Sequence, residues 1–198
     1  MNRMPRIFIP TRNRPTSLSN VLGFLARFHP GTQVIVGDGS TNDYKASTGA
    51  VAVHFNDSIE VDYRSYPAEL PFFERILDVL NSINDDCIVM GADDDYPNMD
   101  LMRKGEKFLH GHPDYVTAMG ALVHFNLLQT TKLRVRIGIA FPVAQDDVTR
   151  RVKSFLRWPF STTYAVTRRS HLISRYERAR KLFVTGFFDL GVGAHDII

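Results

Sequence analysis

Cysteine is almost missing: Cys87 is the single one in 198 residues, so no disulfide can form within the chain. Its place inside an apolar run marks a buried thiol rather than a reactive one, and a reducing, cytoplasmic setting is the expectation. Long hydrophobic runs are missing too. Nothing approaches the roughly 18 consecutive apolar residues of a membrane span, and Met1 to Arg6 carries two charges and a proline where a secretory signal needs an apolar stretch. A soluble or peripheral protein is expected. No internal repeat and no low-complexity linker is found, and 44% hydrophobic residues suffice for one core, so residues 1–198 are read as a single domain.

Acidic residues are scarce in one region only. Between residues 150 and 181, ten Arg and Lys side chains face Glu177 alone, a local charge of +9, which leaves −6 for the rest of a chain whose net charge is +3. A basic region beside an acidic one suits a phosphate-bearing ligand or an anionic membrane surface. A solvated basic helix face is the alternative. Histidines show no metal-ligand spacing; His110 and His112 lie two apart at an expected helix end, where positive charge complements the helix dipole.

What is present is a βαβ opening. Arg6-Ile7-Phe8-Ile9-Pro10 reads as a strand, followed by the polar turn Thr11-Arg12-Asn13-Arg14-Pro15. A helix capped by Thr16 or Ser17 follows, with Leu18, Val21, Leu22 and Leu25 at helical spacing and Pro30 as its stop. Gln33 to Val36 is the second strand, ending at Gly37-Asp38-Gly39-Ser40-Thr41-Asn42-Asp43. Two short loops around a helix point to a mainly parallel α/β sheet. Weaker strands are expected around Ala50 to Phe55 and Ile59 to Tyr63, and an amphipathic helix over Phe72, Ile76, Leu77, Leu80 and Ile83. A buried strand from Cys87 to Met90 and a helix from about Asp100 to Leu109 come next. Beyond them, strands are expected over Tyr115 to Leu128 and Ser161 to Thr167, and a helix over Ser170 to Leu182 capped by Ser170. The chain ends in apolar residues, the mark of either a fragment or a short last element.

Three consecutive aspartates, Asp93, Asp94 and Asp95, directly follow the buried strand. Like charges this close repel and raise one another's pKa, so the cluster calls for a cation. Mg²⁺ or Mn²⁺ would satisfy it while bridging the oxygens of a diphosphate. On extended backbone Asp93 and Asp95 point one way and Asp94 the other. The plain alternative is a solvated acidic turn before the next helix. Asp38 also follows a strand and should face the same crevice, where open α/β sheets place their ligands. It can accept a hydrogen bond from a base N–H or a ribose hydroxyl, or else simply stabilise an Asx turn. Pro10-Thr11-Arg12-Asn13-Arg14 presents hydroxyl, amide and guanidinium groups to that edge, and guanidinium suits phosphate; the alternative is a segment that only shapes a loop and caps the helix.

These segments together, Ile7 to Pro15, Val34 to Asp43 and Gly91 to Tyr96, resemble in order and spacing the family 2 glycosyltransferases of the GT-A fold. The likeness covers roughly Arg6 to Leu109. It implies a single GT-A-like α/β domain with a mostly parallel central sheet and helices on both faces, residues 1–110 forming the nucleotide-binding half and 111–198 the acceptor side. It implies that Pro10, Thr11 and Arg14 line the nucleotide pocket and that Asp38 holds the base. Asp93, Asp94 and Asp95 would be the family's DxD-type motif, with Asp93 on ribose or metal and Asp95 on the metal, Mn²⁺ or Mg²⁺.

The implied reaction is inverting transfer of a sugar from a nucleotide-sugar, most commonly a UDP-sugar, to a glycan, lipid or protein acceptor, without nucleic acid. Asp189 stands near the family's position for the general base, although the family often writes Glu-Asp there. Asp146 and Asp147 are the other candidates, or ordinary helix N-terminal acids. His195 is a candidate further metal ligand. Trp158, with Phe155 and Phe160, offers a stacking wall for an acceptor sugar, a membrane-facing patch, or plain core packing.

Rival readings remain. A nucleotidyltransferase usually carries a glycine-rich basic loop after its first strand, and Thr11 to Pro15 contains no glycine. An aspartyl-nucleophile phosphatase places its Asp-x-Asp after the first strand, and a dinucleotide or methyl-donor enzyme needs its glycines there. A non-catalytic sugar-nucleotide or glycan-binding module is the rival from outside enzymes.

Overall fold

A computed structural model describes residues 4–129, 132–138, 143–157, 162 and 164–184. Its centre is a six-stranded sheet of order β3-β2-β1-β4-β8-β5, built from β1 (Arg6–Thr11), β2 (Gln33–Asp38), β3 (Glu60–Ser65), β4 (Cys87–Met90), β5 (Thr117–Ala118) and β8 (Val166–Arg168). The first four strands are parallel, and β8 runs antiparallel to both β4 and β5. Chain order reverses direction across the sheet between β1 and β4, which opens a crevice beyond their carboxyl ends.

Strand periodicity sends alternate residues to opposite faces. Ile7 and Ile9, level with Val34, Val36 and Val89, pack on Leu18, Val21, Leu22 and Leu25 of α1 (Pro15–Phe28) and on Met99 and Leu109 of α4 (Met99–Gly111). Phe8, level with Ile35 and Met90, packs on Ile76, Leu77 and Leu80 of α3 (Phe72–Ser82) and on Leu172 and Tyr176 of α6 (Arg169–Val184). Two cores, one per face, follow from one alternating sequence pattern, and all these side chains are buried. Cys87 is among them; burial pushes its thiol up to about 11.

Several sequence expectations need correcting. Ala50 to Phe55 is helical: α2 (Asn42–His54) runs through it, with Thr48 and Ala52 buried and Val51 and Phe55 packed on the same core as α1. The Ala-Val alternation there imitates a strand, but only the small faces of Thr48 and Ala52 are needed inward, and a helix supplies them. α1 is not capped by Thr16 or Ser17. Its N-cap is Arg14, without a side-chain bond, and Pro15 takes the first turn, where its missing N–H costs nothing.

Tyr115 to Leu128 is not one strand. It divides around Gly120 into β5 and β6 (Leu122–Gln129), and β6 pairs antiparallel with β7 (Lys132–Gly138) in a separate two-stranded ribbon. Ser161 to Thr167 supplies strand only from Val166 onward among its described residues. α6 starts at Arg169, one residue before the expected cap.

Part of the basic region is spent on structure. Arg168 donates to the carbonyls of Leu109 (2.7 Å), Tyr115 (2.8 Å) and His112 (3.2 Å), closing the end of α4. Arg169 donates to Leu80 and Asp85, each at 3.0 Å, closing the end of α3. Arg180 pairs with Glu74 at 3.3 Å. Arg150, Lys153 and Arg157 of α5 (Val148–Arg157) and Arg178 and Lys181 of α6 are exposed without an ion pair among the described residues, and Asp147 caps α5 by accepting from Arg150 N (2.8 Å). No described helix is long and apolar enough to cross a membrane.

Candidate functional site

The carboxyl ends of β1, β2 and β4 bring the three sequence segments together. Gly91 N donates to Phe8 O (2.8 Å) and Gly39 N to Thr11 O (3.0 Å), so the loops after β4 and β2 both lie against β1. Asn13, with φ 57°, turns the chain after β1; asparagine tolerates this left-handed conformation. Asn13 N donates to Ser40 Oγ (2.8 Å), and its Oδ1 accepts from Thr41 N (2.9 Å), which ties the first loop to the second.

The aspartates do not alternate along an extended strand as the sequence suggested. Asp93 and Asp94 form a turn, and Arg14 clasps both. Its guanidinium lies 2.8 Å from Asp93 Oδ1 and 2.7 Å from Asp94 Oδ2. Thr11 Oγ1 donates to the other Asp93 oxygen at 2.7 Å. Asp93 is buried, and desolvation pushes its pKa up, against the opposing pull of Thr11 and Arg14. The hydrogen bond to Asp94 raises the pKa of Arg14. Asp95 stands apart, exposed and without an ion pair among the described residues. Tyr96 continues the loop with its ring 5.2 Å from Phe24 of α1 and 6.3 Å from Phe125 of the ribbon.

Asp38 is fully buried and forms the Asx turn that was its alternative reading: Ser40 N donates to Oδ1 at 2.8 Å. Tyr63 Oη donates to Oδ2 at 2.7 Å. Burial first, and then this bond to Asp38, push the Tyr63 hydroxyl up to about 12. Pro10 sits level with Gly37, one step back from the edge.

One residue escaped the sequence reading. Arg75 of α3 is 5% exposed; its Nη1 donates weakly to Thr11 O at 3.3 Å, and its Nε has no partner. Desolvation, followed by the neighbouring Arg12, pulls its pKa down. A buried cation so poorly paired, set between Thr11 and Gly39, is the kind of group that an anionic ligand would complete. Its sequence signal was an arginine on the apolar stripe Phe72-Ile76-Leu80, where a hydrophobic residue would be expected. Tyr63 was legible only as a strand residue.

Among the described residues no group of three or more His, Cys, Asp or Glu side chains is placed to hold a metal. Mg²⁺ and Mn²⁺ do not require one, since they commonly take one or two carboxylates and complete their shell with substrate phosphate and water. Asp95 together with Asp93 or Asp94 fits that partial donor set. Asp189, His195, Trp158 and Phe160 lie outside the described residues, as does the Phe155 side chain. A depression of about 390 Å³ lined by Arg6, Gln33, Glu60 and Asp62 lies at the opposite, amino-terminal edge of the strands, away from these groups.

No family model matches the chain, and no curated protein matches it in sequence. Its fold, however, is similar to solved structures. Residues 1–349 of S. aureus TarS align with a TM-score of 0.56 at 15% identity, covering 86% of this chain and 48% of that one. The longer S. aureus TarS structure aligns at 0.53 and 16%, covering 87% and 29%. CMP:2-keto-3-deoxy-manno-octonic acid synthetase complexed with CTP aligns at 0.50 and 12%, covering 88% and 78%. The chain thus spans about half of the shorter TarS structure and under a third of the longer. At such identities the likeness concerns the fold alone, and that fold is GT-A-like.

Proposed function

We propose that the chain is the donor-binding part of an inverting glycosyltransferase that uses a nucleotide-sugar, a UDP-sugar first among them. The observation that carries this reading is the convergence of Thr11, Arg14, Asp38, Arg75 and Asp93 to Asp95 at one sheet edge, a set of cationic and carboxylate groups suited in chemistry to a metal-bound diphosphate and its nucleoside. Arg75 and Arg14 would bind the diphosphate, the loops of Pro10, Thr11 and Asp38 would hold the nucleoside, and Asp93 would meet the ribose. Asp95, with Asp93, would hold Mn²⁺ or Mg²⁺. Such an ion supplies charge neutralisation of the leaving diphosphate.

In this reaction an acceptor hydroxyl attacks the anomeric carbon, its proton passes to a base, and the nucleoside diphosphate departs with the bonding pair. Asp189 is the candidate base, and glycan, lipid and protein acceptors all suit the chemistry. The likeness to a CTP-complexed synthetase favours a second reading, nucleotidyl transfer from a triphosphate. The loop after β1 speaks against it, because Thr11 to Pro15 offers no glycine-lined cradle for a triphosphate.

Calorimetry with UDP, GDP, CTP and their sugar conjugates, with and without Mn²⁺, decides between these. Diphosphate binding that needs metal and is lost in Asp95→Ala is the expected result. Preference for CTP over every diphosphate would transfer the reading to the synthetase class. No nucleotide binding by the folded chain would leave the aspartates as a structural turn.

A further inference from the structure

Arg14 already occupies the place of the cation that the aspartate turn calls for. It spans two carboxylates at 2.8 and 2.7 Å, both within the range of charge-assisted hydrogen bonds. Two features distinguish it from an ordinary structural ion pair. The Arg14 side chain is 48% exposed and sits in the turn ahead of α1, so it can swing away without opening either core. The Asp93 side chain, by contrast, is 6% exposed and has Thr11 as its other partner, so it stays in place and cannot remain without a cation cheaply. The turn is therefore a fixed anionic seat with a removable cation.

Resting on the donor-site reading, we propose that Arg14 is a resident counter-ion which gates metal entry. A divalent cation and Arg14 compete for Asp93 and Asp94, so the ligand-free chain loads metal poorly. A nucleoside diphosphate reverses this: its phosphate oxygens accept from the Arg14 guanidinium, drawing it off the carboxylates, while they complete the metal's oxygen shell beside Asp95. Without ligand, one guanidinium offsets Asp93 and Asp94 in part; with ligand, the metal takes the carboxylates and the diphosphate takes both the metal and Arg14. Metal and diphosphate then bind with positive coupling, and by reciprocity each tightens the other by the same factor.

The test is Mn²⁺ binding, read by electron paramagnetic resonance of the free ion at about pH 8, above the carboxylate range. The proteins are the full chain, Arg14→Gln and Arg14→Lys, each alone and with UDP, GDP or CDP. Removing the competing cation should tighten Mn²⁺ binding to ligand-free Arg14→Gln by about tenfold. The wild type should gain at least as much from the diphosphate, Arg14→Gln should gain much less, and Arg14→Lys should stay near the wild type. Ligand-free Arg14→Gln binding Mn²⁺ no better than the wild type overturns the proposal. So does an equal gain from diphosphate in both proteins, a result that leaves the donor reading standing. Tighter Mn²⁺ binding in Arg14→Gln with no diphosphate bound by any variant supports the counter-ion and removes the donor reading instead. Should Arg14→Gln fail to fold, ¹⁵N spectra of the wild-type Arg14 guanidinium carry the test, its signal identified by its absence from Arg14→Lys. It should shift with Mg²⁺ and UDP together and scarcely with Mg²⁺ alone, and an unmoved signal in both cases overturns the proposal.

Discussion

Gly39 should be intolerant of alanine for one reason only, and that reason can be removed. A Cβ built on Gly39 falls 2.2 Å from Nη1, 2.4 Å from Cζ and 3.0 Å from Nε of Arg75. Ordinary contact begins near 3.4 Å, so the guanidinium would have to move by more than an ångström. Arg75 is 5% exposed, so moving its guanidinium means displacing the neighbours that bury it. The backbone at Gly39 is not left-handed, Gly31 being the only described glycine with positive φ, so the substitution carries no conformational strain of its own. Gly39→Ala should then cost about 1–3 kcal/mol, the usual penalty for overpacking, and lower Tm by roughly 2–10 °C in a chain of this size.

In an Arg75→Ala background the obstruction is gone. There the same substitution should be neutral, or stabilising by about 0.4–1 kcal/mol through the smaller entropy of the unfolded chain. Urea unfolding of the four proteins closes a double-mutant cycle whose coupling term should be of order 1–3 kcal/mol. Equal costs for Gly39→Ala in both backgrounds would refute the reasoning that the Arg75 guanidinium is what a Cβ at Gly39 meets.

Two further outcomes follow from the half-buried tyrosines and from the helix-closing arginine. Tyr63 and Tyr66 are pushed up to about 12, by burial first and then by Asp38 and Asp78 respectively, whereas an unfolded tyrosine ionises near 10. The unfolded state therefore loses its protons first. Stability should be intact below about pH 10 and fall as pH rises towards 12, a slope that Tyr63→Phe should reduce in urea titrations across that range. A slope unchanged in Tyr63→Phe would contradict the assignment. Arg168→Ala removes a donor shared by the carbonyls of Leu109, His112 and Tyr115, of which Leu109 and His112 keep a backbone N–H, and should cost about 1–2 kcal/mol by thermal or urea unfolding. Lysine should not restore it, since one ammonium cannot reproduce the planar fork.

The amino-acid pattern by itself determined the βαβ opening, β4, the cores of α1 and α3, and the fact that Thr11, Asp38 and Asp93 stand at one sheet edge. These are local matters: hydrophobic period fixes element type, and parallel strands bring their carboxyl ends to the same side. It misread Ala50 to Phe55, because small and β-branched residues satisfy a shallow helix face as well as a strand. It counted ten cations from Arg150 to Lys181 without showing that some of them are tied down, because sequence records charge but not the carbonyls 2.7–3.0 Å from Arg168 and Arg169. Only the tertiary structure decided that Arg14 reaches 80 residues along the chain to Asp94, that Asp38 is sealed by Tyr63, and that Arg75 lies buried beneath Gly39. Each is a contact between segments that share no local period. Such contacts exist because two loops and a helix are brought to the end of one strand, where the electrostatics depend on distance in space and not on distance along the sequence.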